Sequence, residues 1–173
     1  ILSDDIYEHI KYDDFNFYTI AQIKKLKDRT LTMNGVSKSY AMTGWRIGYA
    51  AGPKGIISAI RKIQSQSTSN PSSVSQAAAV EALNGNQDFI QVRANSFKDR
   101  RDFVVNSLNN IKGISCKKPN GAFYVFPNCK KLLGKKTKLK TDTDFVQKLL
   151  IKQNVAAVQG SAFGLDGYFR ISY

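Results

Sequence analysis

The sequence is poor in the residues that usually bind metals or form disulfides. Its 173 residues include one histidine, His9, and two cysteines, Cys116 and Cys129, which lie thirteen positions apart. Structural zinc sites need four cysteine or histidine ligands at short spacings, and disulfide-stabilised domains need several cysteine pairs. The composition therefore argues against a zinc site and against a disulfide framework, and it predicts two ordinary free thiols.

Long apolar runs are also absent. No stretch approaches the roughly 20 apolar residues that cross a bilayer, and the first residues lack the basic and apolar zones of a signal peptide. Since 42% of the residues are hydrophobic, the chain can nevertheless bury a core. The sequence predicts a globular protein of the cytoplasm without a membrane partner.

Acidic residues are scarce, because 13 Asp and Glu stand against 26 Lys and Arg and give a formal net charge of +13. Such a charge indicates nucleic-acid binding when the basic residues form one stripe with interleaved aromatic residues. The densest basic run is broken by leucines and a glycine; its lysines are Lys130, Lys131, Lys135, Lys136, Lys138 and Lys140. We interpret this run as a solvated loop and predict no nucleic-acid partner, with a non-catalytic basic binding module as the alternative.

Hydrophobic periodicity and turn residues predict an α/β protein. The predicted strands are residues 1–3 (the tail of a buried strand), 30–33, 47–51, 113–118, 122–126, 155–158 and 168–173. Of these, 113–118 and 122–126 are expected to pair as a hairpin through residues 119–121, where Asn120 and Gly121 tolerate positive φ. The predicted helices are residues 54–63, 74–83 and 88–110, and a further helix that residues 141–144 cap. Gly85 is expected to end the helix over residues 74–83.

The helix over residues 88–110 is predicted to be amphipathic. Its apolar positions are Phe89, Val92, Phe97, Val104 and Leu108, and its outer face carries Arg93, Lys98, Arg100 and Arg101. After this helix the mixture of strands and helices changes to an α+β order. We therefore predict two domains, residues 1–85 and 86–173, and we expect the chain to be part of a longer protein because both ends fall in predicted strands.

A lysine and an arginine stand eight positions apart in residues 37–53, around a turn that contains Gly44. A lysine amine that condenses with a cofactor aldehyde must lie beside the group that fixes the cofactor. An arginine one loop away can bind a phosphate through two parallel hydrogen bonds. Lys38 and Arg46 fit this pair of roles, although a solvated lysine and a surface salt bridge are the alternatives for each residue alone.

Residues 37–53 resemble the lysine motif of class I pyridoxal-phosphate aminotransferases, most closely the bacterial aspartate aminotransferase branch. Residues 3–9 are similar to a second family segment, which implies that Asp4 contacts the pyridine nitrogen of the cofactor and that Tyr7 contacts its phenolic oxygen. Read without the resemblance, Asp4 could cap a turn and Tyr7 could be a core aromatic. The resemblance implies that Lys38 binds the cofactor aldehyde and acts as the catalytic base, and that Arg46 binds the cofactor phosphate.

Residues 168–173 resemble the final strand of the family, in which an arginine binds the substrate α-carboxylate; this implies that role for Arg170. The alternative is a simple arginine on an edge strand. Residues 121–124 and 160–164 are similar to segments that line the substrate entrance, with glycines at tight turns. Phe123 could form a wall of the substrate pocket or only fill the core.

The sequence departs from the family pattern at two positions. Gly35 stands where many members have a phosphate-binding serine, for which Ser37 is a possible substitute, and Gln159 replaces a common proline. The resemblance implies a fold-type-I homodimer, in which residues 64–76 reach the partner subunit or, alternatively, only link two helices.

The implied reaction is transamination between aspartate and 2-oxoglutarate with pyridoxal phosphate as cofactor. The alternatives within the family are an aspartate/prephenate enzyme, another class I aminotransferase of the aromatic or alanine type, or a lyase. Other cofactor contacts of the family, a glycine-rich loop, a stacking aromatic residue and an asparagine, have no counterpart in these residues. We therefore expect the 173-residue chain alone to be inactive.

Overall fold

The first part of the chain forms a three-stranded sheet in the computed structural model, which describes residues 1–135 and 137–173. The strands β1 (Leu2–Asp4), β2 (Leu31–Gly35) and β3 (Gly48–Ala51) are ordered β1-β2-β3. β1 and β2 are parallel, with Asp4 opposite Met33, whereas β2 and β3 are antiparallel, with Gly35 opposite Gly48. The ends of β1 and β2 therefore lie at the same edge of the sheet as the start of β3.

All three strands were predicted from the sequence to within one or two residues, but the first was expected to be buried. The Leu2 side chain is instead 65% exposed. The expectation of a buried β1 is wrong for this chain, because no described element packs tightly over Leu2.

Lys136, one lysine of the predicted solvated loop, lies outside the described residues.

The helices of this part follow from the spacing of apolar side chains. They are α1 (Lys24–Lys27), α2 (Lys54–Ser67) and α3 (Ser73–Asn84). α2 continues past the predicted end at residue 63, since the polar residues that follow are compatible with a further helical turn. Its isoleucines Ile56, Ile60 and Ile63 remain 44%, 37% and 70% exposed. A small core of Val36, Tyr40, Ile47 and Ala79 closes the loop after β2.

The long helix α4 spans Asp88–Asn109, as the periodicity predicts. Two of its side chains were assigned to the wrong face. Arg101 was expected to be outside but is fully buried, whereas Val92 was expected to be inside and is 69% exposed. The reason for the first error is tertiary, because Arg101 Nη1 donates to the Pro119 carbonyl at 2.9 Å and its guanidinium pairs with Asp102.

The second sheet consists of β4 (Tyr124–Val125), β5 (Val158–Gln159) and β6 (Phe169–Ser172), in the order β4-β6-β5 with antiparallel pairing throughout. The predicted hairpin between residues 113–118 and 122–126 is wrong, because β4 pairs with β6. Residues 113–118 contribute an isolated bridge from Ser115 to Asn128. The positive φ of this connection falls on Ala122, at 58°, rather than on Asn120 or Gly121.

Helix α5 (Asp142–Gln153) begins where the sequence predicts. Thr141 Oγ1 accepts a hydrogen bond from the Asp144 N–H at 3.1 Å, and Asp144 Oδ2 accepts one from the Thr141 N–H at 3.0 Å. This reciprocal capping satisfies N–H groups that have no partner inside the helix. The predicted strand over residues 155–158 is displaced, since β5 starts only at Val158.

Both cysteines lie in or beside the core of the second part, whose buried members are Val105, Leu108, Cys116, Val125, Cys129, Val146 and Phe169. The cysteines are free, as predicted. Burial, with a contribution from the negative charge of Asp142, raises the pKa of the Cys129 thiol to about 11. The thiol is thus protonated and unreactive near neutral pH.

The chain divides into two compact units, Ile1–Ala94 and Asn95–Tyr173, so that the division falls inside α4. The predicted division into domains of residues 1–85 and 86–173 stays a prediction. None of the helices in the described ranges is long and apolar enough to cross a membrane. Within the same ranges, no group of three or more His, Cys, Asp or Glu residues could hold a metal ion.

Candidate active site

The predicted cofactor residues of the first unit belong to one edge of its sheet. Asp4 is the last residue of β1, and the loop that carries Ser37 and Lys38 follows β2. Arg46 lies two residues before β3, whose first residue, Gly48, pairs with the last residue of β2. Since β1 and β2 are parallel, topology alone brings these four side chains to the edge where α/β proteins bind ligands.

The turn after β1 positions Asp4 and Tyr7. The Asp5 N–H donates to the Met33 carbonyl at 2.9 Å, which continues the parallel pairing into the turn. Asp4 Oδ1 accepts the Ile6 N–H at 3.3 Å, so the turn-capping role weighed for Asp4 is present. A carboxylate has about four acceptor sites, so Asp4 can cap the turn and still accept a hydrogen bond from a ligand. Tyr7 is half-buried in the same turn.

The lysine loop, residues 36–47, is closed by backbone hydrogen bonds at its base and at its tip. The Val36 N–H donates to the Ile47 carbonyl at 3.4 Å and the Met42 N–H to the Val36 carbonyl at 3.3 Å. The Ala41 N–H donates to the carbonyl of Lys38 at 3.1 Å. With Val36 and Ile47 in the core, the loop carries the half-buried Lys38 on a fixed backbone.

Thr43 connects the two predicted phosphate-binding residues. Its hydroxyl donates to the Ser37 carbonyl at 3.2 Å, and its own carbonyl accepts from Arg46 Nη1 at 2.8 Å. Arg46 and Ala41 have φ values of 56° and 54°. Left-handed backbone costs a residue with a side chain roughly 1–2 kcal/mol, and such residues cluster at ligand sites.

Gly35 has a structural reason for departing from the family's serine. A Cβ at this position would lie 3.0 Å from the Ile47 carbonyl oxygen and 3.3 Å from the Gly48 Cα. Both neighbours are backbone atoms of the adjacent strand, which cannot move without disturbing the sheet. A serine at position 35 would therefore require the adjacent strand to shift by a few tenths of an ångström, and Ser37 lies two residues further along the same loop.

The sequence interpretation missed a polar cluster beside this edge. Asn34 Nδ2 donates to Glu8 Oε1 at 2.6 Å, and Asn34 Oδ1 accepts the Gly35 N–H at 2.7 Å. Burial, and secondarily the charge of Glu8, raises the pKa of the Tyr40 hydroxyl; the same two causes, in that order, raise that of Tyr49. The Glu8–Asn34 hydrogen bond links residues 26 positions apart, so no local pattern could have revealed it.

In the second unit, Arg170 lies on β6, the central strand of its sheet. The alternative of an edge-strand arginine is therefore wrong. Its guanidinium carbon lies 4.5 Å from the ring centre of Tyr124 and 4.8 Å from that of Phe163. Stacking against aromatic faces offsets the cost of removing the cation from water, and it leaves the N–H edge of the plane for an anion.

Phe123 is half-buried, and its ring stacks on Phe97 of α4 at a centroid distance of 5.4 Å. This contact supports the core-filling alternative without testing the pocket-wall alternative. The glycines near Arg170 serve tight turns, as predicted. A Cβ on Gly160 would collide with the Leu165 carbonyl, and Gly164 has a φ of 76°.

The comparisons with known proteins identify the family. The whole chain, residues 1–173, matches the model for the family described as aminotransferase class I and II. The chain therefore belongs to the class I and II aminotransferase family. The resemblance predicted from residues 3–9 and 37–53 is confirmed.

Curated relatives match the chain over its entire length. It is 60% identical to the aspartate aminotransferase of Rhizobium meliloti strain 1021. It is 57% identical to the probable aspartate/prephenate aminotransferase of Rickettsia prowazekii strain Madrid E. The matches cover 100% of this chain but only 43% and 45% of these relatives. The chain thus spans less than half the length of the relatives that it matches.

Solved structures confirm the α/β fold class. The aspartate aminotransferase from Rhizobium meliloti, 60% identical, matches 99% of this chain and 44% of its own with a TM-score of 0.95. An aromatic aminotransferase from Pyrococcus horikoshii, 40% identical, matches 99% of this chain and 45% of its own with a TM-score of 0.89. The fold is therefore shared by family members with different named substrates.

Proposed function

We propose that the whole protein is a pyridoxal-phosphate-dependent aminotransferase that moves an amino group between L-aspartate and 2-oxoglutarate. The observation that carries this proposal is the edge of the first sheet, where Asp4, Lys38 and Arg46 come together from three strand ends. Family membership and the names of the relatives support the same reaction. A basic binding module gains no support from this arrangement.

The chemistry of these side chains fits the cofactor group by group. A primary amine suits an aldehyde, a carboxylate suits a protonated ring nitrogen, and a guanidinium suits a phosphate. Lys38, Asp4 and Arg46 supply these three groups, and Ser37 and Tyr7 add hydroxyls. When bound, pyridoxal phosphate supplies an aldehyde and a ring that accepts electrons.

Each of these residues would then have a defined role. Asp4 would accept the N–H of the ring nitrogen and keep that nitrogen protonated, while the Tyr7 hydroxyl would donate to the ring oxygen. Lys38 would hold the cofactor through its aldehyde carbon and would move the proton that leaves the substrate α-carbon. Arg46 and Ser37 bind the phosphate, and the Thr43 hydrogen bonds fix their loop.

The substrate residues belong to the second unit. Arg170 binds the α-carboxylate through two parallel N–H donors, with its guanidinium carbon over the rings of Tyr124 and Phe163. Phe123 forms part of the wall beside it. The whole protein works as a homodimer in the cytoplasm, with residues 64–76 directed toward the partner subunit.

A second candidate, an aspartate/prephenate aminotransferase, is favoured by the 57% identity to the Rickettsia prowazekii relative.

Purified full-length protein should be assayed with aspartate as donor and with 2-oxoglutarate or prephenate as acceptor. We expect transamination that is lost in Lys38→Ala and retained in Lys54→Ala, an exposed lysine at the start of α2. Activity that survives Lys38→Ala contradicts the proposal, and the preferred acceptor distinguishes the two candidates.

A further inference from the structure

We propose that Asp142 is a positioning residue for substrate binding, because its carboxylate fixes the turn that holds Phe163 against the Arg170 guanidinium. The inference rests on the proposed function, in which Arg170 binds the substrate carboxylate. Asp142 acts on the guanidinium through the backbone of the turn that comprises Gly160–Phe163.

The link begins at the first residue of α5. The Asp142 side chain is buried, at 3% exposure, and its Oδ2 accepts the Ser161 N–H at 2.7 Å across 19 residues of sequence. Ser161 lies in the first half of the 3₁₀ helix Gly160–Phe163. The N–H groups at the start of a helix have no partner within it, so Asp142 caps this short helix from a neighbouring element.

The remaining hydrogen bonds of the turn tie it to β6 and to itself. The Gly160 N–H donates to the Tyr168 carbonyl at 2.7 Å, directly before β6, and the Leu165 N–H closes the turn on the Gly160 carbonyl at 3.0 Å. A side chain at position 160 would collide with the Leu165 carbonyl. The turn therefore has one tight backbone conformation, which β6 fixes on one side and Asp142 on the other.

Phe163 depends on that backbone for its position. Its side chain is 49% exposed, and its ring meets the Phe126 ring edge to face at 5.8 Å. Tyr124, the other ring against Arg170, lies on β4 and is held by strand pairing to β6. Loss of the Asp142–Ser161 hydrogen bond should thus loosen one of the two rings that orient the guanidinium and leave the other in place.

A guanidinium that is free to tilt loses part of its two-point contact with a carboxylate, since both hydrogen bonds need the same plane. The loss appears in substrate binding and not in the chemical step, because Lys38 and the cofactor residues belong to the other unit. We therefore expect a change in KM for amino-acid and oxo-acid substrates with little change in kcat.

The test compares Asp142→Ala with Asp142→Asn and Thr141→Ala in the full-length protein loaded with cofactor. Thr141 is the matched control, because its hydroxyl caps the same helix end by accepting the Asp144 N–H and not an N–H of the turn. Loss of a hydrogen bond to a charged acceptor should raise the KM for aspartate about fivefold to tenfold in Asp142→Ala. Asp142→Asn keeps an acceptor oxygen and should recover most of the affinity, and Thr141→Ala should leave KM unchanged.

If Asp142→Ala does not fold, Asp142→Ser replaces it, since the shorter serine side chain keeps a helix-capping hydroxyl.

Hydrogen exchange supplies a readout that is independent of activity. The amides of residues 160–164 should exchange faster in Asp142→Ala than in Thr141→Ala, whereas those at the start of α5 should respond in both. Phe163→Leu should raise KM by itself, and adding Asp142→Ala to it should have little further effect, because both changes act on one contact.

Three outcomes overturn the inference: equal KM effects of Asp142→Ala and Thr141→Ala, an unchanged KM despite faster exchange at residues 160–164, or full additivity with Phe163→Leu. An inactive wild-type protein overturns the proposed function and the inference together. An active wild type with any of the three outcomes overturns the inference alone.

Discussion

The two units of the chain arrange their buried apolar residues differently. In Ile1–Ala94 these residues are divided between a cluster of four side chains and others outside it, and three isoleucines of α2 remain exposed. The cluster is Val36, Tyr40, Ile47 and Ala79, the buried residues outside it are Ile10, Tyr12 and Ala94, and the exposed isoleucines are Ile56, Ile60 and Ile63. In Asn95–Tyr173 seven buried side chains from α4, α5, the sheet and its connections form a closed cluster. The candidate cofactor residues lie on the unit with the smaller buried cluster. The loop that carries Lys38 and Arg46 is therefore held by the Thr43 hydrogen bonds as well as by this cluster.

The largest expected effect is on the stability of the second unit. Arg101→Ala removes a fully buried cation and leaves the Asp102 carboxylate with one partner fewer. Breaking a buried ion pair in this way should cost about 3 kcal/mol, measured by urea unfolding of the full-length protein. Arg100→Ala, one residue earlier and exposed, should cost less than about 0.5 kcal/mol. Similar costs for both variants would show that burial of Arg101 does not stabilise this unit.

Arg170→Lys should weaken substrate binding without affecting cofactor binding. A lysine keeps the charge but loses the second parallel hydrogen bond and the planar contact with two rings, so kcat/KM for aspartate should fall about 10- to 100-fold. The absorption spectrum of the bound cofactor should not change. Arg100→Lys is the control, because Arg100 also lies over a ring, that of Phe97 at 5.6 Å. An equal fall in kcat/KM for Arg100→Lys would contradict a specific role of Arg170 in substrate binding.

A smaller effect is expected at the lysine loop of the first unit. Gly35→Ser restores the residue common in the family but places a Cβ 3.0 Å from the Ile47 carbonyl oxygen. We expect it to destabilise the protein by about 1–2 kcal/mol and to weaken cofactor binding, measured by equilibrium dialysis. Gly44→Ala, where a Cβ meets nothing within 4 Å, is the matched control. Tighter cofactor binding in Gly35→Ser would contradict this account of the loop.

The smallest effect concerns pH. The Lys118 hydrogen bond, together with Arg101, holds the pKa of Asp102 below its usual value. A lowered pKa stabilises the folded state above the unfolded pKa of about 3.9, and this contribution is lost as the pH falls through the lower folded value. The stability difference between wild type and Asp102→Asn should therefore shrink below about pH 4. In a Lys118→Ala background the dependence should be weaker; an unchanged dependence would exclude Lys118 as its main cause.

Local features of the fold were predictable from the sequence. The apolar spacing of α4 and the capping residues Thr141 and Asp144 act within one or two helical turns, and both elements lie where they were predicted. The hairpin over residues 113–126 failed because the partner of β4 is β6, more than 40 residues later. Local propensity could not choose between these two pairings.

The candidate site shows the same contrast between local features, which were predicted, and long-range contacts, which were missed. Lys38 and Arg46 were found because they share one short segment, whereas the Glu8–Asn34 and Asp142–Ser161 hydrogen bonds join distant segments through ordinary residue types. The burial of Arg101 was missed for a related reason. Residue type favoured the surface, whereas the carbonyl of Pro119 and the carboxylate of Asp102 help to make the buried position favourable.

The most direct test of the central claim is reductive trapping of pyridoxal phosphate on the full-length protein, followed by peptide mapping. Borohydride should fix the label on Lys38, on the loop that Thr43 and the core hold at the sheet edge. Lys38→Ala should remove that label, while Lys54→Ala should retain it. Label that is spread over many lysines, or that persists at another lysine in Lys38→Ala, would contradict the assignment of Lys38 as the cofactor-binding residue.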